Sequence, residues 1–72
     1  MSIQHLLGSN VRRIRISKGW SQDKLAEESG LHRTYISGIE RGVRNPTLSI
    51  ISQVAIALDV PTTALLNKES TQ

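Results

Sequence analysis

The residues that stop helices constrain this chain most. Gly19, Gly30, Gly42, Pro46 and Pro61 cut it into short stretches, and within each stretch the apolar residues recur every three or four positions. Ile3, Leu7, Val11 and Ile14 define a first helix that ends at Gly19, with Lys18 suited to the negative end of the helix dipole. Ser21 can cap a second helix that runs to about Ser29, and Trp20 and Leu25 occupy the two positions of a hydrophobic staple. A third helix covers about Arg33 to Arg41. Thr47 caps a fourth, whose expected stripe is Leu48, Ile51, Val54, Ala55 and Leu58. After Asp59-Val60-Pro61, Thr62 to about Asn67 forms one short last helix. No strand alternation competes, so the expected fold is all-α: one compact five-helix domain over residues 1–67, with a frayed polar tail over 68–72.

With 72 residues and no cysteine, the chain must stabilise a small core without disulfides or thiolate metal sites. A domain of this size buries only about 60% of its unfolded surface, which makes a second subunit the expected reinforcement. His5 and His32 have no ligand partners at metal spacing, and no cofactor is expected. No apolar run approaches the roughly 20 residues of a membrane span, and no signal-peptide pattern opens the chain. A cytoplasmic protein is therefore expected, with no membrane partner. Paired carboxylates, an activated nucleophile and a phosphate loop are all missing at useful spacing. Neither an enzyme nor a small-molecule substrate is expected.

Charge is uneven. Eight basic and four acidic residues lie up to Arg44, against one basic and two acidic residues beyond it. A basic half joined to a near-neutral half suits a polyanion-binding face beside a packing or dimer region. The window from Gln22 to Arg41 sharpens this. Two short helices meet there across Ser29-Gly30-Leu31, with small Ala26 at their crossing and Gly30 free to take a positive φ. Leu25, Leu31, Ile36 and Ile39 point inward. Arg33, Thr34, Ser37 and Arg41 form the opposite, polar face of the third helix, with Tyr35 beside them. Together these features describe a helix-turn-helix.

Trp20-Ser21-Gln22, Leu25-Ala26, Gly30-Leu31, Tyr35-Ile36-Ser37, Ile39-Glu40-Arg41-Gly42 and Asn45-Pro46-Thr47-Leu48 resemble the lambda-repressor-like (Cro/C1, Xre-type) family of DNA-binding domains from about Leu7 to Leu66. The stretch from His32 to Arg41 is especially similar to the controller proteins of bacterial restriction-modification systems. The resemblance implies a transcription regulator, repressor or activator, that binds a palindromic double-stranded DNA operator as a homodimer in a bacterial or phage nucleoid. An antitoxin-like or adaptor module on the same fold is the alternative.

By position, the resemblance assigns base reading to Arg33 and Thr34, with Tyr35 and Ser37 reaching a groove edge or phosphate. Ser21, Gln22, Arg41, Arg44 and Asn45 are assigned to phosphate, and Gln22 also to bracing the first reading residue. Glu40 opposes the helix dipole where it stands and needs a cation; the family supplies one at the position of Arg15. A structural pair Arg15–Glu40 is therefore expected. At Gly38 related repressors carry a third reading side chain. The bare position implies closer backbone approach to DNA, or no reading there. Ile50, Val60, Leu65 and Leu66 are left over from the expected core, with Ala57 and Pro61 nearby, and form the expected dimer interface at the end opposite the basic face.

Overall fold

The computed structural model describes residues 2–68 and contains five helices: α1 (Ile3–Ser17), α2 (Gln22–Ser29), α3 (Arg33–Glu40), α4 (Leu48–Leu58) and α5 (Thr62–Leu66). Among the described residues there is no strand. The expected tail falls, beyond Lys68, outside the described residues.

The helix ends follow local chemistry. Ser2, Ser21 and Thr47 each accept a hydrogen bond from the backbone N–H three residues on, at His5, Lys24 and Ile50. Gly19, Gly30 and Gly42 take positive φ angles of 74°, 75° and 76° and turn the chain out of three successive helices. Asp59 makes the same left-handed exit from α4 at φ 60° without being glycine.

The core is continuous. Leu7, Val11 and Ile14 of α1 meet Leu25 and Ala26 of α2, Ile36 and Ile39 of α3, the α4 residues Ile51, Val54, Ala55 and Leu58, and Leu65 of α5. Burial of these side chains is the main favourable contribution to folding. α1 packs on α3 and α5, while α4 packs on α2 and α5.

Three expected packing positions are corrected. Ile3 is 57% exposed and Leu48 73% exposed, because each stands at the first residue of its helix, beyond the edge of the core. Leu65 is fully buried. It belongs to the protomer's own core and not to an outward contact surface. Leu66, Ile50, Ala57 and Val60 are partly buried at its margin, and Ile56, which periodicity had not singled out, is 76% exposed.

Two polar groups inside the fold escaped the sequence reading. Asn10 is fully buried on α1, where its amide donates to the backbone carbonyls of Leu65 and Asn67, each at 2.8 Å. It ties the end of α5 to α1. Gln53 of α4 donates to the carbonyl of Ser29 at 2.6 Å and so holds the α2–α3 turn. Only partner geometry shows these roles, since an isolated Asn or Gln in a helix reads as surface.

Candidate nucleic-acid interface

α2 and α3 are joined by Gly30-Leu31-His32. Gly30 lies in the left-handed region and donates to the Ala26 carbonyl at 2.9 Å. The Ser29 hydroxyl accepts from the N–H of Leu31 at 3.3 Å. Ile36 and Ile39 anchor one side of α3 in the core, which turns the opposite side to solvent.

A buried ionic group holds this unit against α1. The guanidinium of Arg15 donates to both carboxylate oxygens of Glu40, at 2.6 Å and 2.9 Å, and to the Trp20 carbonyl at 2.7 Å. Glu40 accepts a third hydrogen bond from the amide of Gln22, at 3.1 Å. The side chains of Arg15 and Glu40 are only 11% and 3% exposed. The hydrogen bond to Glu40 is the chief reason the guanidinium holds its proton more firmly than usual; desolvation opposes that and the carboxylate's charge reinforces it. The expected pair is thus present, and Arg15 joins three elements at once.

Gln22 differs from expectation in its intramolecular partner. Its amide braces Glu40 near the end of α3, not the first reading residue. Arg33 has a different neighbour: its Nε lies 3.1 Å from Oδ1 of Asp23, in a pair that remains largely exposed. Thr34 is exposed, with its hydroxyl 3.0 Å from Nδ1 of His32. Ser37 accepts from Nε of Arg41 at 3.4 Å. His32 occupies the cap position of α3 but makes no capping bond. The Ser21 hydroxyl accepts from the N–H of Lys24 at 3.0 Å and so caps α2. Asn45 is exposed in the loop before α4.

The Arg44 side chain lies back across α3, its guanidinium carbon 5.2 Å from the centre of the Tyr35 ring. Trp20 is flanked by two cations, with the ammonium groups of Lys18 and Lys24 at 5.3 Å and 5.8 Å from its ring centre. Arg33 and Thr34 on α3 and Arg41, Arg44 and Asn45 in the loop after it are all exposed. Among the described residues no group of acidic or histidine side chains could hold a metal ion, and no helix is long and apolar enough to cross a membrane.

Comparison with known proteins agrees with this geometry. Residues 11–65 match the family described as helix-turn-helix. The chain is 52% identical over 67 residues to the control protein C.BamHI of Bacillus amyloliquefaciens, covering 92% of this chain and 83% of that one. The restriction-modification controller C.AhdI of Aeromonas hydrophila superposes with a TM-score of 0.83 at 44% identity, over 86% of this chain and 94% of that chain. The controller C.Esp1396I, solved as a tetramer on its natural 35-base-pair operator, superposes with a TM-score of 0.83 at 35% identity, over 90% and 86% of the two chains.

Proposed function

The chain belongs to the helix-turn-helix family (HTH_3), and from that membership we propose that it is a sequence-specific transcription regulator which binds a palindromic operator as a homodimer and controls a restriction-modification system. The observation that carries this reading is the solvent-facing surface of α3, which exposes Arg33 and Thr34 while Ile36 and Ile39 clamp the helix from behind. An arginine can give two parallel hydrogen bonds to guanine O6 and N7, and a threonine methyl can meet a thymine methyl. The similarity to C.BamHI and to the operator-bound controller supports the choice of target and the restriction-modification role. On this reading the protein works in the cytoplasm of its host, at the nucleoid.

Arg33 and Thr34 read bases, with Tyr35 and Ser37 at the groove edge. Ser21, Gln22, Arg41, Arg44 and Asn45 lie against phosphate. Gln22 has two amide hydrogens, so the bond to Glu40 leaves a second for a phosphate oxygen. Phosphate contacts set register and affinity, while base contacts set sequence choice.

Selection of bound duplexes from a random pool tests the reading. The expected product is a two-fold symmetric site with half-sites about one helical turn apart. Affinity for random DNA should fall with salt, with a log–log slope of about −0.9 for each neutralised phosphate. Arg33→Ala should cost roughly 1–3 kcal/mol on the selected site and much less on random DNA. A protein that enriches no sequence and shows no salt dependence is not an operator-binding regulator, and an adaptor role would take its place.

A further inference from the structure

His5 is exposed, yet its imidazole is held on two sides. It stands three residues after Ser2, the N-cap of α1, at the position from which a side chain reaches back to the cap. Oγ of Ser2 accepts from the backbone N–H of His5 at 3.2 Å and lies 2.7 Å from Nδ1 of its ring. Another edge of the ring rests on the turn after α3. A methyl group built at Gly42 would stand 2.7 Å from Cδ2 of His5 and 3.0 Å from both Cγ and Nε2. The ring therefore occupies the space that a side chain at residue 42 would fill.

That turn is a firm seat. Gly42 takes a φ of 76°, its N–H donates to the Ile39 carbonyl at 3.1 Å, and the N–H of Val43 donates to the Gly38 carbonyl at 3.0 Å. Arg41 directly precedes Gly42, and Arg44 and Asn45 follow it. Consecutive Cα atoms are about 3.8 Å apart, so the ring lies beside the short stretch of backbone from which these three side chains leave.

Resting on the operator-binding reading above, we infer that His5 of α1 is a further contact to the DNA backbone, its Nε2–H donating to a phosphate oxygen of the strand that Arg41, Arg44 and Asn45 follow. The Ser2 hydroxyl accepts from the backbone N–H and has its own hydrogen to give to Nδ1. A neutral imidazole whose Nδ1 accepts carries its proton on Nε2. Among the described residues no protein group bonds to that nitrogen. A donor fixed by Ser2 on one side and by Gly42 on another loses little freedom when it binds. Its place also separates it from base reading. Arg33 and Thr34 open α3, whereas His5 rests on the turn beyond the far end of that helix. Packing alone would need only a flat apolar ring on Gly42, and would leave both the bond to Ser2 and the unpartnered Nε2 without a purpose.

The test compares His5→Phe, His5→Ala and His5→Lys with the wild type, by duplex selection and by affinity for selected and random DNA over a range of salt. Phenylalanine keeps a ring on Gly42 and removes both nitrogens, while lysine replaces the donor. All three should unfold at a temperature close to that of the wild type, because residue 5 is exposed. His5→Phe and His5→Ala should each weaken selected and random DNA alike, by roughly tenfold, the scale of one hydrogen bond to a charged group. The selected sequence should not change. His5→Lys should recover the affinity and steepen the log–log salt slope by about 0.9 for each phosphate it neutralises. A His5→Phe variant that binds like the wild type would show that His5 only packs on Gly42, and would overturn the inference. So would an unchanged salt slope in His5→Lys, or a variant that loses a base preference while keeping its affinity for random DNA. A wild type that selects no sequence would remove the operator reading itself, and this inference with it.

Discussion

Arg15 is the residue on which the orientation of the reading helix depends most directly. It is nearly buried, and its hydrogen bonds go to Glu40 at the end of α3 and to the carbonyl of Trp20 before α2. Removing Glu40 would leave a cation inside the protein without its counter-charge, a change that typically costs about 3–5 kcal/mol. Glu40→Ala is therefore expected to lower the urea midpoint by an amount equivalent to roughly 3 kcal/mol, with the value at the low end because Arg15 keeps its bond to Trp20. An unchanged midpoint would show that the pair contributes only geometry. The raised affinity of Arg15 for its proton adds stability that is fully present below the unfolded-state value and is lost only as pH rises through the folded one. That window is strongly alkaline, so this arginine should produce no change in stability near neutral pH.

At the scale of elements, α1 organises the molecule through two residues whose roles depend on what lies opposite them. Gly8 faces the end of α3 so closely that a methyl group there would overlap the carbonyl oxygen of Ile39 and stand 2.7 Å from that of Glu40. Those atoms belong to a backbone that α3 cannot move freely. Gly8→Ala should therefore destabilise the fold by about 1–3 kcal/mol, as overpacking does, although alanine favours helix formation by about 1 kcal/mol. The contrast with Gly38→Ala, where only the flexible side chain of Arg44 must move, is measurable by thermal unfolding of the two variants. Asn10 lies two residues further along α1 and acts on α5. Asn10→Ala deletes two hydrogen bonds to the end of α5, each worth about 1 kcal/mol net. Faster amide exchange confined largely to α5, with a modest loss of global stability, is the expected result. Uniform loss of protection across all helices would mean that α5 does not separate from the rest.

At the scale of the whole molecule, a protomer of 30 × 24 × 18 Å presents one α3, which on the proposed reading spans only a few base pairs. That is too little to single out a site in a genome, and pairing of subunits on half-sites about one turn apart solves the problem. We propose that pairing uses α4, α5 and the turn between them, where Ile56 is exposed and Ile50, Val60 and Leu66 are partly buried. Exposed apolar groups can mark contact surfaces. Leu66→Arg is expected to give a folded protein that sediments as a monomer, or as a much weaker dimer, with poor affinity for the selected site. Ile56→Arg should behave similarly. Variants that remain dimeric and bind normally would place the interface elsewhere on the molecule.

The five helices, the Ser21 and Thr47 caps and the α2–α3 turn were readable from the amino-acid order, because each depends on residues within a few positions of one another. Ser21 capping Lys24, Gly30 taking a positive φ and the spacing of Ile36 and Ile39 need no distant partner. The Arg15–Glu40 pair was anticipated, through the dipole at Glu40 and the family resemblance. What contacts distant in sequence decide was not readable. Periodicity ranked Leu48 with Ile51 and left Leu65 among the outward residues, yet the limits of the core expose the first and bury the last. Asn10 and Gln53 look like surface amides until the carbonyls of Leu65, Asn67 and Ser29 are brought within hydrogen-bond reach. Gly38 posed a question that its neighbours could not answer, since the side chain that covers it arrives from Arg44, beyond the end of the helix. Local order sets which backbone shapes are accessible, while a side chain's partner depends on which groups the packed core brings within a few ångströms.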